Sequence, residues 1–153
     1  MQDSKLNKYR FFVEHIFFIL IVFMILALIR YPYLLNGDHF FTSDEGMLAS
    51  TILDLMNGER FAFYYDFGNT FGLTFGLVSA PFIWLLGPTS TAYNLPAILF
   101  YSLYLWTTYL IAKTIIPRTA YIVLVLMIFA PSYITQLTTH NWPHVPAAFL
   151  GNC

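Results

Sequence analysis

The sequence predicts an all-α, multispanning helical membrane protein with no sheet, and three observations carry that prediction. Only 10% of the 153 residues are charged, while 58% are hydrophobic and 20% aromatic. A soluble domain carries about 25% charged residues, and a chain this short must expose much of its surface, so the solvent facing most of it is lipid. The charges are also gathered together. There is no Lys, Arg, Asp or Glu from Phe67 through Ala112 or from Thr119 to Cys153, and Asp38, Asp44, Glu45, Asp54, Glu59 and Asp66 lie in one loop. Finally, the apolar stretches have membrane-crossing length and are joined by short connections.

Taken in order, residues 11–31 form the first span. Its apolar part, Phe11 to Ile29, is 19 residues long, near the ~20 that a helix needs to cross the hydrocarbon core. Lys5, Lys8 and Arg10 precede it and put the N-terminus in the cytoplasm. Glu14 and His15 fall at headgroup depth. The stretch runs into Arg30-Tyr31-Pro32, with no small-residue site at which a signal peptide would be cut.

Residues 32–88 read as an outer loop. Thr42-Ser43-Asp44-Glu45 has the form of a capping box. Met47, Leu48, Thr51, Ile52, Leu55 and Met56 then recur at helical spacing, and Gly58 is a natural stop. The spacing predicts an amphipathic helix over 43–57, lying in the membrane surface. A short apolar segment, 71–86, is interrupted by Gly72, Gly76, Ser79 and Pro81 and ends at Gly87-Pro88. Spans two and three follow at 90–112 and 119–138, joined by a connection holding Lys113 and Arg118.

Parity decides how 71–86 is read. If it crosses, Lys113 and Arg118 lie outside. If it stays in the interface, they lie in the cytoplasm, as the positive-inside rule prefers, and the polar segment with His140 and His144 shares the outer face with the acidic loop. The second arrangement, with three spans in one incomplete transmembrane domain over 1–153, is the expectation.

Asp44 and Glu45 are the sharpest candidates for chemistry. Both sit in the first turn of a helix, where the macrodipole favours carboxylates, and the helix would hold them against lipid headgroups. Moving a sugar from a lipid-phosphate donor needs a base for the acceptor hydroxyl at that depth; a carboxylate there could also hold a divalent metal ion against the phosphate. The plain alternative is that the pair only starts a helix.

The chain also resembles the N-terminal part of the GT-C glycosyltransferases that use polyprenyl-phosphate sugars. These include the protein O-mannosyltransferases and the lipid A aminoarabinose transferase, which are similar to glycosyltransferase family 39. The likeness runs from about Phe11 to about Arg118. It rests on Ser43-Asp44-Glu45-Gly46 opening a helix after one span, on Asn57-Gly58-Glu59 with the aromatic run Phe61 to Tyr65, on Phe71-Gly72-Leu73-Thr74-Phe75 leading into Ala80-Pro81-Phe82, and on Leu86-Gly87-Pro88 followed by Tyr93-Asn94-Leu95-Pro96. The resemblance implies a first loop on the non-cytoplasmic face, Asp44 as catalytic base and Glu45 in a supporting or metal-contacting role. It also implies a polyprenyl-phosphate-linked sugar as partner, in a multi-pass protein of the cell membrane. Two departures stand beside it. Residues 136–145 hold His140, Asn141 and His144 where some members have a further carboxylate, and family members have several hundred residues. The chain is therefore expected to be a fragment, inactive alone.

Other residues carry weaker readings. Tyr64, Tyr65 and Arg60 are candidate substrate contacts, and so is His144. His140 and His144 have the spacing of a helical metal pair, but Pro143 lies between them and they lack partners. Arg30 reads first as a side chain snorkelling at the end of a span and second as a phosphate partner. Trp84, Trp106 and Trp142 read as interface anchors. Gly72 and Gly76 read as a packing face. Cys153 rules out an internal disulfide, and no nucleic-acid partner is expected. The competing function is a non-catalytic membrane protein: an accessory subunit, a transporter piece or a degenerate product. Transporters place ionisable groups inside their spans, and the clear spans here lack them.

Topology is open to direct measurement. With Cys153 removed, single cysteines at Asn57 and Lys113 are expected to be labelled from opposite sides of the membrane. Labelling of both from outside would remove the interfacial reading of 71–86.

Overall fold

The computed structural model describes residues 2–37, 43–59, 77–140 and 144–153, with the backbone alone for 2–12, 43–44, 132–133, 137 and 144–146. Residues 71–76 of the short apolar segment expected over 71–86, and the capping residue Thr42, lie outside the described residues. Within them, all regular structure is helical, in eight helices.

The first, α1 (Gln2–Ile29), is 28 residues long. It is followed by the single turn α2 (Tyr31–Leu35), with Pro32 at its start, where a missing N–H costs nothing. Helix α3 (Ser43–Met56) stops where the glycine predicted it would. Gly58 has φ 73°; its N–H bonds to the Leu55 carbonyl at 3.1 Å and that of Glu59 to Asp54 at 2.9 Å, the paired closure of a Schellman motif. Helix α4 (Ala80–Leu86) ends at Gly87, φ 81°.

The long helix α5 (Ser90–Ile115) has 26 residues and opens with the Thr89 side chain accepting the Ala92 N–H. At 1.5 Å per residue it is about 39 Å long. Among the described residues it is the one helix both long and apolar enough to cross a membrane, and the apolar part of α1, Val13–Ile29, is shorter.

Most other elements pack on α5. α1 lies antiparallel to it: Leu34, just beyond α1, meets Thr91, Arg30 meets Tyr101, and Phe18 stacks on Tyr109. Val22, Leu26, Leu34, Ile98, Tyr101, Leu105 and Ile128 form the buried core of this layer. At its loop end, Leu48 and Ile52 of α3 bury against Ile83, Ala92 and Tyr93. The amphipathic face predicted for α3 is thus covered by protein, from α4 and the start of α5. Ser79 ties the two parts together by donating to the Tyr93 carbonyl at 3.0 Å.

The single helix expected over 119–138 is divided into α6 (Ala120–Ile128) and α7 (Ser132–Leu137). Pro131 is the reason. It has no N–H to continue the ladder, and its ring disfavours helical geometry at Ala130. The missing N–H would have served the carbonyl of Met127, and the Tyr101 hydroxyl of α5 serves it instead, at 2.8 Å. Thr135 caps the other side of the break by donating to the Ala130 carbonyl at 3.2 Å. The last helix, α8 (His144–Gly151), returns along α5, with Phe149 near Phe100 and Asn152 donating to Thr108 at 3.1 Å.

The outside of this layer is as apolar as its inside. Val13, Phe17, Leu20, Met24 and Leu28 are exposed along α1, and Tyr121, Ile122, Val125 and Leu126 along α6. A helix apolar all round is buried in something, whether protein or lipid.

Replacing Tyr101 with Phe leaves the ring in place and strips the Met127 carbonyl of its donor. An unsatisfied buried acceptor costs about 1–3 kcal/mol, so Tyr101→Phe is expected to lower the Tm of the detergent-solubilised protein. An unchanged Tm would show that the proline break needs no donor.

Candidate functional site

Helix α3 opens with Ser43, Asp44 and Glu45, and its packing decides where the third of these goes. Glu45, Leu48 and Ile52 stand at i, i+3 and i+7, one face of a helix. The contacts that bury Leu48 and Ile52 therefore carry Glu45 inward too, and it is 2% exposed. There its Oε1 lies 2.8 Å from Nδ1 of His140, a residue 95 positions away at the end of α7. His140 is itself mostly buried, at 15% exposure. A carboxylate accepts and an imidazole N–H donates, so the contact matches the tautomer with its hydrogen on Nδ1. The pair fixes the ring orientation and leaves Nε2 as the nitrogen that can meet anything else.

Two residues before His140, the turn receives a second charged group. Arg30 follows the last residue of α1 and is 1% exposed. Its Nη1 donates to the Thr138 carbonyl at 2.8 Å, and its guanidinium carbon lies 4.6 Å from the centroid of the Tyr101 ring. Thr138 and Thr139 are buried as well. The reading of Arg30 as a snorkelling side chain is therefore corrected. Snorkelling puts the head group in water, whereas this guanidinium sits at the Thr138 carbonyl and the Tyr101 ring with almost none of its surface exposed.

The turn over 138–140 thus gathers side chains from α1, α3 and the end of α7 at one end of the layer. Lys113 and Arg118, with the start of α1, lie at the other end, since α1 and α6 both run antiparallel to α5. The remaining candidates are placed less fully. Asp44 is in the first turn of α3, and His144 is the first residue of α8; the side chains of both are outside the described residues, and so are Arg60, Tyr64, Tyr65 and Trp142 entirely. No helix runs through both His140 and His144. Among the described residues no three metal-ligating side chains come together.

The tryptophans differ from one another. Trp84 is exposed. Trp106 instead faces α1 and donates its indole N–H to His15 Nδ1 at 3.1 Å. Sequence reasoning named Glu45 and His140 separately and missed their pairing; the shared face of Glu45, Leu48 and Ile52 signals that Glu45 is buried, but not what it meets.

Compared with protein-family models, curated proteins and solved structures, the chain matches none.

If the carboxylate and the imidazole depend on each other, their substitutions will not add. Glu45→Gln and His140→Gln are expected to show a coupling of about 1 kcal/mol or more in a double-mutant cycle on Tm or denaturant stability, within the 0.5–3 kcal/mol range of contacting residues. Additive losses would mean that the contact carries little energy.

Proposed function

We propose that this chain is part of a multi-pass membrane glycosyltransferase of the GT-C type, moving a sugar from a polyprenyl-phosphate donor to an acceptor on the non-cytoplasmic face. The observation that carries the reading is the meeting of Glu45, from the acidic loop, with His140, from the second polar segment. Two segments that a three-span topology would put on one side of the bilayer are in contact, beside the helix start that holds Asp44. The uncovered apolar residues of α1 and α6 support a lipid surround, with α1, α5 and the α6–α7 pair as the spans and α3 and α4 at the interface.

In this reading the acceptor hydroxyl oxygen attacks the anomeric carbon of the donor sugar. The bond from that carbon to the phosphate oxygen breaks, and polyprenyl phosphate leaves with the electron pair. Asp44 takes the hydroxyl proton. Glu45 supports the site through His140, and a divalent metal held by Asp44 or Glu45 is the alternative role for the acidic pair. Arg60, Tyr64, Tyr65 and His144 are the proposed substrate contacts.

One observation favours the competing reading, a non-catalytic membrane protein. Glu45 is almost wholly buried, and a buried carboxylate–imidazole pair can tie two segments together without any substrate.

Sugar transfer separates the two. In membranes holding the protein expressed from its complete reading frame, with a polyprenyl-phosphate-linked sugar as donor, Asp44→Asn is expected to lower the rate by about 10²–10⁴, the usual cost of losing a general base. Insertion should be unchanged, because Asn is also tolerated at helix starts. Wild-type transfer by Asp44→Asn would make the acidic pair only a helix start.

A further inference from the structure

We propose that Arg30 binds an anion, with its Nη2 taking an oxygen of a phosphate group carried on an apolar chain. The guanidinium is 1% exposed and so has lost nearly all its water. What replaces that water is incomplete. Nη1 has one neutral acceptor, the Thr138 carbonyl, and the Tyr101 ring lies under the plane. Nη2 has no hydrogen-bond partner among the described residues, and no described carboxylate pairs with it. Glu45, which reaches the same turn, is held by His140.

A buried charge is normally paired, because desolvation is costly and a single carbonyl with a ring face offsets only part of it. An anion completes the arrangement. It meets the open N–H with a charge-assisted bond, and phosphate oxygens match the planar donor geometry of arginine.

The neighbourhood indicates what carries the phosphate. Leu28, Ile29, Tyr31 and Leu35 flank Arg30 in sequence, and all are exposed. An apolar tail can lie along these residues while its head group turns in toward Nη2. Assigning that head group to the sugar donor rests on the glycosyl-transfer reading; the anion site itself does not, and it is tested without any transfer step.

The experiment is a thermal-unfolding titration of the purified protein in neutral detergent, with farnesyl monophosphate, inorganic phosphate and farnesol as probes. Farnesyl monophosphate is expected to raise the Tm of the wild type and farnesol is not. Arg30→Met is expected to bind farnesyl monophosphate about 10- to 100-fold more weakly, the factor of one charge-assisted hydrogen bond. Arg30→Lys, which keeps the charge and loses the fork, should fold and bind with intermediate affinity; should Arg30→Met not fold, a wild-type affinity in Arg30→Lys overturns the proposal. A response to inorganic phosphate equal to that of farnesyl monophosphate supports the site and assigns it to free phosphate. A response to farnesyl monophosphate alone supports a lipid source. The proposal is overturned if neither phosphate shifts the wild type, or if Arg30→Met lowers the Tm and leaves the affinity unchanged, the behaviour of a structural clamp. The titration contains no transfer step, so failure of the transfer reading and failure of the anion site give different results.

Discussion

Helix α5 is the surface against which most other described elements are placed. α1, α2, α4, α6 and α8 all lie against it, and its direction sorts the molecule into two ends. Because α1 and α6 both run opposite to it, the segments that follow α1 and α7 arrive at the same end as its own N-terminus. The arrival of Arg30 at Thr138 and of Glu45 at His140 is a consequence of that sorting and needs no special device in the loops.

Polar groups inside such an apolar body have few partners, and the described ones are shared economically. Pro131 removes a backbone donor, and Tyr101 supplies one from the next helix. The same ring lies under Arg30. One tyrosine therefore joins the α6–α7 break to the buried cation, and the polar end of the layer is built around it. Ser79, Thr91 and Thr135 do similar work on carbonyls at Tyr93, Leu34 and Ala130.

Much of the fold was legible in the sequence where the signal was local. Gly58 and Gly87 ended helices because positive φ is cheap only for glycine, and hydrophobic spacing placed α3 and α5. The break at Pro131 was missed because hydropathy averages over a proline, whereas the backbone ladder does not. At the site, residue types were legible and partners were not. Glu45 could be named as a helix-start carboxylate, but its partner lies 95 residues away, beyond any spacing rule. Arg30 was misread for a related reason. An arginine ending an apolar stretch usually reaches water, and only the placement of Tyr101 and Thr138 shows that this one does not.

The separations at this end have a consequence for synthesis. Leu34 waits for Thr91, 57 residues on; Glu45 waits 95 residues for His140; and Arg30 waits 108 for Thr138. At about 5–20 residues per second, the two charged side chains remain without their partners for several seconds after they leave the ribosome. They are enclosed only when the α7 turn emerges. A chain released before residue 138 would hold Arg30 without the Thr138 carbonyl and Glu45 without His140.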